Sequence, residues 1–320
     1  MNKKRIILVV IFVFLVVISL LVGAYGNLTI ENLINGDKGA WDVLLRSRIP
    51  RTLVIILTAS SLSIAGLIMQ ALNRNKFISP STAGTNSAAA LGVLLSFIIL
   101  GSSSIYIRFG FAFVFAMASS VLFVLILSKV KFKNIVYVPL IGLMYGGLIS
   151  AITSLIAYET DTLQLLSSLN LGTFSHVGIV NGVLILITLP ALILAVIFSK
   201  KFNIAALGED FATNLGLNYK VTLYVGLSIV SVIVASTFIV VGPLPFIGLI
   251  IPNIISLYYG DNISKNLFDV AIFGSIFVLF NDILGRLIIY PFEMSVSFTM
   301  GITGAIIFIY LILRQAKENG

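Results

Sequence analysis

Apolar residues fall into ten long runs along the chain, and short polar stretches separate them. An α-helix needs roughly 20 apolar residues to cross the hydrocarbon core of a bilayer. Most runs approach or exceed that length; the third and the eighth are shorter, and we expect their ends to be re-entrant or interfacial. The predicted segments are Ile6–Tyr25, Thr52–Leu72, Asn86–Gly101, Ile105–Ser128, Val136–Tyr158, Ile179–Phe198, Val221–Val241, Phe246–Tyr259, Phe268–Tyr290 and Ser295–Leu313. The pattern predicts an all-α polytopic membrane protein with about ten transmembrane helices.

The composition agrees with this prediction. The 320 residues are 59% hydrophobic and 10% charged, whereas soluble domains are about half apolar and about a quarter charged. The chain has no cysteine and one histidine, His176, which excludes disulfides, zinc–thiolate sites, thiol catalysis and a metal site built from several histidines. No linker or low-complexity stretch divides the sequence, so we expect one transmembrane domain over residues 1–320.

Ten crossings place both termini on the same side of the membrane. With that side taken as the cytoplasm, fourteen of the 20 lysine and arginine residues lie inside, in agreement with the positive-inside rule. The sequence therefore predicts a multi-pass plasma-membrane protein with cytoplasmic termini, and this topology accounts for most of the +8 net charge without a nucleic-acid partner. The first run is longer than the ~7–15 residues of a signal-peptide core, so we expect an uncleaved first helix.

Residues 200–220 form a polar segment between the sixth and seventh runs, on the predicted cytoplasmic side. Gly208 and Gly216 interrupt it, which suggests two short helical pieces joined at a corner. Glu209 and Asp210 begin the second piece, where the helix dipole favours anions. Apolar residues recur along the segment at the spacing of one helix face: Ile204, Leu207, Phe211 and Leu215. The pattern fits equally an interfacial loop on the lipid headgroups and a small docking element.

The stretch "LGEDFATNLGLNYK" resembles the cytoplasmic coupling segment of the FecCD family, the permease subunits of ATP-driven importers for iron–siderophore complexes, haem and vitamin B12. The usual family form is Leu-Gly-Glu-Glu-x-Ala-x-x-Leu-Gly, and Asp210 replaces its second Glu. The matching positions are Leu207, Gly208, Glu209, Ala212, Leu215 and Gly216. The resemblance implies a type II ABC importer permease fold, with this segment seated in a cleft of a separate cytoplasmic ATPase.

Two further blocks carry the same resemblance at family spacing. "RSRIPRTLVIILTASSLSIAGLIMQALNRN" resembles the family's Arg-x-Pro-Arg start of the second helix and its Met-Gln-x-x-x-Arg-Asn end, and "GPLPFIGLIIPNIISLYYGDN" resembles its Gly-Pro-x-x-Phe-x-Gly-Leu-x-x-Pro-His block. "NRNKFISPSTAGTNSAA" and "FNDILGRLIIYP" resemble a Gram-positive branch associated with catecholate-type siderophores. The chain departs from the family at Lys76-Phe77, where Pro-Leu is usual, and at Asn253, where His is common. We therefore do not assign the family's gate contacts to these positions of the chain.

Arginines near the second run depart from the positive-inside pattern, because Arg46, Arg48 and Arg51 lie on the predicted outer side. They suit either snorkelling anchors at the interface or a basic surface for an acidic external partner. In the FecCD family, arginines matching Arg48, Arg51 and Arg286 pair with glutamates on the two lobes of the substrate-binding protein. The resemblance therefore implies docking of an extracellular siderophore-binding lipoprotein there. We expect Glu293, in a short outer loop, to be solvated.

Asp282 and Arg286 lie four residues apart in the ninth run, which places them on one helix face as an ion pair. We expect this pair to be structural, with Arg286 also reaching outward. A carboxylate within a membrane is a functional candidate by default. An alternative function is therefore an ion-coupled secondary transporter that uses Asp282 as its proton or sodium site.

Small residues recur at every fourth position of the fifth run, and the last run has a shorter version of this stripe. Such stripes let membrane helices approach closely, so close packing within the subunit is one interpretation. The resemblance implies another, in which the fifth and last helices line a path between two permease subunits, identical or homologous. The residues concerned are Gly142, Gly146, Ser150 and Ser154, with Gly301 on the last helix.

The sequence contains no Gly-x-x-x-x-Gly-Lys-Ser/Thr phosphate loop. We therefore expect a non-enzymatic chain that binds no cofactor itself, with ATP and Mg²⁺ held by a partner ATPase dimer. The resemblance implies a permease that carries a ferric siderophore, of catecholate type, into the cell. The expected partners are that ATPase dimer, the binding lipoprotein, a second permease subunit, the ferric siderophore and membrane lipid.

Overall fold

The computed structural model describes residues 3–23, 30–101, 104–129, 137–178 and 182–319, with the side chains of Ile30 and of residues 315–319 outside the description. Regular structure in this part of the chain is helical throughout. Ten main helices follow one another: α1 Lys3–Leu21, α2 Ile49–Leu72, α3 Thr85–Leu100, α4 Ile105–Lys129, α5 Tyr137–Glu159, α6 Thr188–Ala205, α7 Tyr219–Val240, α8 Ile247–Tyr259, α9 Ile263–Leu287 and α10 Val296–Asn319.

Eight of the ten are long and apolar enough to cross a membrane, and α3 and α8 are the shorter apolar helices that the sequence predicted, with 16 and 13 residues. We call the face at which α1 begins the inner face and the opposite one the outer face. Shorter helical elements are Ile30–Ile34, Lys38–Val43, a π-helical turn Leu44–Arg48 that runs into α2, Leu163–Leu169, a 3₁₀ turn Val183–Ile187 that runs into α6, and Glu209–Asn214.

The sixth helix differs from its prediction. The apolar run ends at Phe198, whereas α6 continues to Ala205. Phe202 and Ala205 are fully buried against the rest of the bundle, so packing carries the helix beyond the end of the apolar run. The helix therefore continues into the polar segment 200–220, and the corner at Gly208 follows shortly after its last turn.

Helix α2 lies at the centre of the bundle and is buried along most of its length. It packs against α6, α7, α8 and α9. At Gly66 the backbones of α2 and α8 touch, because a Cβ at this position would overlap the carbonyl oxygen and Cα of Gly248. Only glycine permits this approach, which lets the short helix α8 lie directly on the central helix.

Helix α1 lies at the periphery, with Ser19 as its one buried residue among those described. Arginine contacts attach it to α9 at both ends. At the inner face Arg5 binds Asp269 at 2.6 and 3.0 Å, and at the outer face Arg286 donates to the carbonyl oxygens of Ser19 and Val22, both at 2.9 Å. An exposed apolar helix is thereby fixed to the bundle by polar contacts at its two ends.

Candidate functional site

The inner-face corner has the form that the glycine pattern predicted. After α6, Gly208 adopts a φ of +110° and Gly216 a φ of +78°, and the helix Glu209–Asn214 lies between them. Residues other than glycine are strained at such positive φ angles. A Cβ at Gly208 would also lie 2.8 Å from Nη1 of Arg74, which shows how closely this side chain packs on the turn, but it is the backbone angle that requires glycine.

The corner presents apolar side chains to its surroundings. Leu207, Phe211 and Leu215 are 57%, 67% and 63% exposed, whereas Ala212 is fully buried beneath them. Glu209 and Asp210 are also exposed, in the first turn of the short helix. An apolar surface with an acidic edge, held on a rigid turn, is suited to insertion into a cleft of a partner protein.

The corner lies against the end of the central helix, a contact that the sequence pattern did not reveal. Arg74, just after α2, packs on Gly208 and borders a recess of about 1010 Å³ that Glu209, Tyr219 and Lys220 help to line. The corner is therefore in contact with the segment that directly follows α2. Arg74 could be located only after folding, because nothing near it in the sequence points to residue 208.

Hydrogen bonds support the connection between α2 and α3. Gln70 Nε2 donates to the carbonyl of Leu249 at 3.2 Å, and Asn253 Nδ2 donates to the carbonyls of Lys76 and Leu249 at 2.7 and 2.8 Å. Polar groups at this depth must be satisfied by protein or water. These contacts satisfy amide groups of Gln70 and Asn253 within the protein.

Lys76 also fixes the same loop from the inner face. Its ammonium contacts Asp261 at 2.9 Å. Burial raises the pKa of Asp261, but hydrogen bonds from Ser256 and Lys76 outweigh burial and lower the pKa below its ordinary value. The carboxylate is therefore stabilised in its charged form, which keeps the loop after α2 attached to the end of α8.

At the outer face the predicted Asp282–Arg286 pair is present and belongs to a larger network. Asp282 binds Arg286 through one oxygen and Arg51 through the other, the latter at 2.7 Å. Arg51 in turn donates to both oxygens of Glu293 at 2.9 and 2.7 Å. Two arginines and two carboxylates are thus joined within one buried cluster, which satisfies charges that would be costly if left unpaired.

Two expectations about this face are wrong. Glu293 is not simply solvated: its side chain is 21% exposed, and it accepts hydrogen bonds from Arg51 and, at 2.6 Å, from Ser175. Arg286 does not reach outward, because it is 2% exposed and its guanidinium binds Asp282 and the end of α1. Both differences arise because contacts with other helices pair these charged groups inside the protein, where solvent has little access.

The three arginines expected at the docking surface differ in their surroundings. Arg48 and Arg51 are 6% and 8% exposed, and both border an open recess of about 570 Å³ at the outer face, together with Ser175, His176 and Glu293. Arg48 packs on Gly23, and its Nε is buried without a hydrogen-bond partner among the described residues. Arg286 is absent from this recess. Docking at Arg48 and Arg51 stays a prediction.

The small-residue stripe of α5 packs within the subunit. A Cβ at Gly142 would overlap the carbonyl of Thr82, one at Gly146 would lie 3.1 Å from Cα of Gly84, and Ser150 donates to Ser87 at 2.9 Å. Ser154 lines a cavity of about 160 Å³ between α3 and α5, and a Cβ at Gly301 of α10 would meet no atom within 4 Å. A role of these residues in lining a transport path stays a prediction.

Comparison with known proteins identifies the family. The profile of the FecCD transport family matches residues 11–314. This chain belongs to the FecCD transport family. The petrobactin import system permease protein YclN of Bacillus subtilis is 43% identical over 96% of this chain and 97% of its own length. The ferric-anguibactin transport system permease protein FatD of Vibrio anguillarum is 38% identical over 88% of this chain and 90% of its own.

Solved structures share the fold. An inward-facing conformation of a metal-chelate type ABC transporter superimposes with a TM-score of 0.82 at 24% identity, over 98% of this chain and 99% of that one. PsaBC from Streptococcus pneumoniae in complex with Fab gives 0.59 at 20% identity, over 88% and 95%. The predicted all-α permease fold is thereby confirmed. The alternative of an ion-coupled transporter gains no support, since both oxygens of Asp282 already bind arginines.

Proposed function

We propose that this chain is the membrane-spanning permease subunit of an ABC importer that carries a ferric siderophore into the cell. The observation that carries the proposal is the exposed apolar corner of Leu207, Phe211 and Leu215 in a chain of the FecCD transport family. The corner provides a surface through which an ATPase can act, and the ten-helix bundle provides the membrane domain on which it acts.

A ferric siderophore is the substrate class that the relatives favour. The names of YclN and of a 33% identical Bacillus anthracis permease refer to petrobactin, and that of the Vibrio protein to ferric anguibactin. A catecholate type is our narrower proposal, supported by the resemblance of "NRNKFISPSTAGTNSAA" to one branch of the family. The chain needs no cofactor of its own in this scheme, because ATP and Mg²⁺ belong to the ATPase.

Coupling follows from the contact between the corner and the central helix. When the ATPase dimer closes, it displaces the helix Glu209–Asn214, and Gly208 transmits the displacement to Arg74 and the end of α2. Because α2 packs against α6, α7, α8 and α9, its movement shifts much of the bundle. ATP binding thereby changes the populations of inward- and outward-open states.

The outer recess is the proposed docking surface for an extracellular siderophore-binding lipoprotein. Arg48 borders this recess and forms no salt bridge within the part of the chain that the structure describes, and Arg51 is shared between Glu293 and Asp282. Acidic groups of the lipoprotein would bind Arg48 directly and compete with Glu293 for Arg51. Such pairs contribute orientation and association rate more than affinity.

A second permease subunit, identical or homologous, completes the proposed path. Helices α5 and α10 expose large apolar side chains over much of their length, among them Leu143, Leu148, Ile302 and Ile306. Membrane lipid and the second subunit would share this surface. In this orientation both termini lie in the cytoplasm, because the inner face carries the ATPase corner.

The experiment that tests the function is uptake into proteoliposomes containing this permease, its ATPase and its binding protein. We expect uptake of radiolabelled ferric siderophore that depends on ATP and persists when proton and sodium gradients are dissipated. Glu209→Lys should abolish uptake and the stimulation of ATP hydrolysis by the loaded binding protein, whereas Glu31→Lys, an exposed acid near the outer face, should not. Uptake that needs an ion gradient and no ATPase contradicts the proposal.

A further inference from the structure

A second site lies at the inner face, away from the corner and the arginine network. Helices α1, α8, α9 and α10 surround a cleft of about 470 Å³. Its walls are almost entirely aliphatic and aromatic, with Ile7 on α1, Tyr258 on α8 and Tyr310 on α10 among them. These three side chains are 58%, 61% and 61% exposed, so the cleft opens to the surroundings of the bundle.

The mouth of the cleft is basic. Lys4 and Arg314 border it, and none of its lining residues is acidic. The nearby carboxylate of Asp269 is 1% exposed and is bound by Arg5, so it leaves the charge of Lys4 unopposed. Arg314 has an interaction within the chain, but its cationic group still contributes positive charge to the mouth.

An apolar cleft with a basic mouth fits an amphiphile with an acidic headgroup. Because α1 and α10 are membrane-spanning helices, the molecules that reach the cleft at highest concentration are lipids. Tyrosine side chains suit the headgroup level of a membrane, where an apolar ring and a polar hydroxyl are both accommodated. Lysine and arginine at this level attract anionic lipids in particular.

We propose that this cleft binds one anionic phospholipid, with its phosphate at Lys4 and Arg314 and an acyl chain between α1 and α10. The lipid fills a gap beside the peripheral helix α1 and contacts α8 and α9 at the same time. The proposal depends on insertion of the chain in a membrane and not on its transport substrate.

Native mass spectrometry of the full chain tests the site. The protein in detergent is titrated with dioleoyl phosphatidylglycerol or, for comparison, with dioleoyl phosphatidylcholine, which has the same acyl chains. The detergent is then removed in the spectrometer, and the lipid that stays bound is counted. We expect one phosphatidylglycerol per chain to be retained in preference to phosphatidylcholine. Lys4→Gln with Arg314→Gln should weaken its retention roughly 30-fold, since each cation is expected to contribute roughly fivefold near an anionic lipid.

Two further variants separate this site from general surface charge. Lys129→Gln removes an exposed lysine at the inner end of α4 and should leave retention unchanged. Ile7→Trp fills the cleft from an exposed position and should release the lipid whatever its headgroup. Melting temperatures of all variants in detergent confirm that each chain is folded.

Several outcomes overturn the proposal. Equal retention of the two lipids removes the headgroup site, and an equal loss in Lys129→Gln shows that diffuse charge attracts the lipid. Retention that Ile7→Trp does not change places the lipid elsewhere. If Ile7→Trp instead dissociates a dimer of the chain, the cleft is an interface for a second copy. The ATP-dependent uptake assay is scored separately, so failure here is distinct from failure of the transport function.

Discussion

Arg51 donates to both oxygens of Glu293, at 2.9 and 2.7 Å, although the two residues lie at opposite ends of the sequence. The same guanidinium also binds Asp282 at 2.7 Å. An arginine of the proposed docking surface is therefore already occupied by acids of its own chain. A binding protein that uses Arg51 must displace Glu293, whereas Arg48 is available without such competition.

Reversal of Arg48 is the cleaner test of docking. Arg48→Glu should lower uptake at least tenfold and weaken association of the binding protein with the permease, because like charges then face each other at the contact. Labelled uptake and surface plasmon resonance measure the two effects. The melting temperature of this variant in detergent checks its fold, because Arg48 is 6% exposed and a carboxylate there would lie near Glu293 and Asp282. Arg51→Glu is a poor substitute, because it would remove the cation of Glu293 and place a further carboxylate beside Asp282.

The matched control for docking is Arg46→Glu. Arg46 is also on the outer side but pairs with Asp42 in an exposed position, where such pairs contribute little to stability. We expect near-normal uptake from this variant. Equal losses in Arg46→Glu and Arg48→Glu would point to the general charge of the surface, and normal uptake in both would remove the docking role of Arg48.

Stability should depend on pH through Glu293. Burial raises the pKa of Glu293, but Arg51 and the hydrogen bond from Ser175 outweigh burial and lower the pKa. A folded-state pKa below the unfolded value of about 4.3 means that the carboxylate stabilises the fold above that pH. The contribution is lost as pH falls through the folded pKa.

Comparison of the wild type with Glu293→Gln isolates this contribution. The wild type should melt at the higher temperature near neutral pH, and the difference should narrow as pH falls below about 4.3. Differential scanning fluorimetry in detergent follows both proteins. Melting curves that stay parallel down to pH 3 would show that the Arg51–Glu293 pair does not stabilise the fold in solution.

The contact between Gly66 and Gly248 predicts a strong effect of a single methyl group. Gly66→Ala should destabilise the fold by ~3 kcal/mol, because the added Cβ overlaps the backbone of α8, which cannot move aside as a flexible side chain could. The yield of folded protein and its melting temperature report the loss. Gly147→Ala is the control, since a Cβ there would meet no atom within 4 Å, and equal melting of the two variants contradicts the prediction.

The apolar corner should carry much of the affinity for the ATPase. Replacing Phe211 and Leu215 by alanine should weaken binding of the ATPase roughly 30-fold, as expected for a hot-spot loss of about 2 kcal/mol. The permease itself should fold normally, because both side chains are exposed. Pull-down and ATPase stimulation in detergent measure the effect.

Phe292→Ala controls for the loss of an exposed aromatic side chain. Phe292 is 73% exposed and follows α9 near the outer face. This variant should bind the ATPase as the wild type does. If the corner variant also binds normally, the contact with the ATPase lies elsewhere on the inner face.

Much of the fold could be predicted because its signals are local. The length of each apolar run fixes whether it can cross a bilayer, which is why the ten segments and the shortness of α3 and α8 were predicted. Gly208 and Gly216 determine the corner through their own backbone angles. The Asp282–Arg286 pair follows from four-residue spacing on one helix.

The ion-pair partners at the inner and outer faces could not be predicted from the sequence. Arg51 binds Glu293, and Arg5 binds Asp269. Arg74 packs on Gly208. Each contact joins residues that are distant in the sequence and that only the folded bundle brings together. The local pattern could not show that Glu293 is paired or that Arg286 is buried, and both predictions were wrong.

The sequence by itself therefore determined the number of membrane helices, the inner-face corner and the family to which they belong. The tertiary structure decided which charges are paired, which remain available to partners and where an apolar cleft is left open. The reason is physical: helix length and turn geometry depend on neighbouring residues, whereas ion pairs and clefts depend on how separate helices are rotated and packed against one another.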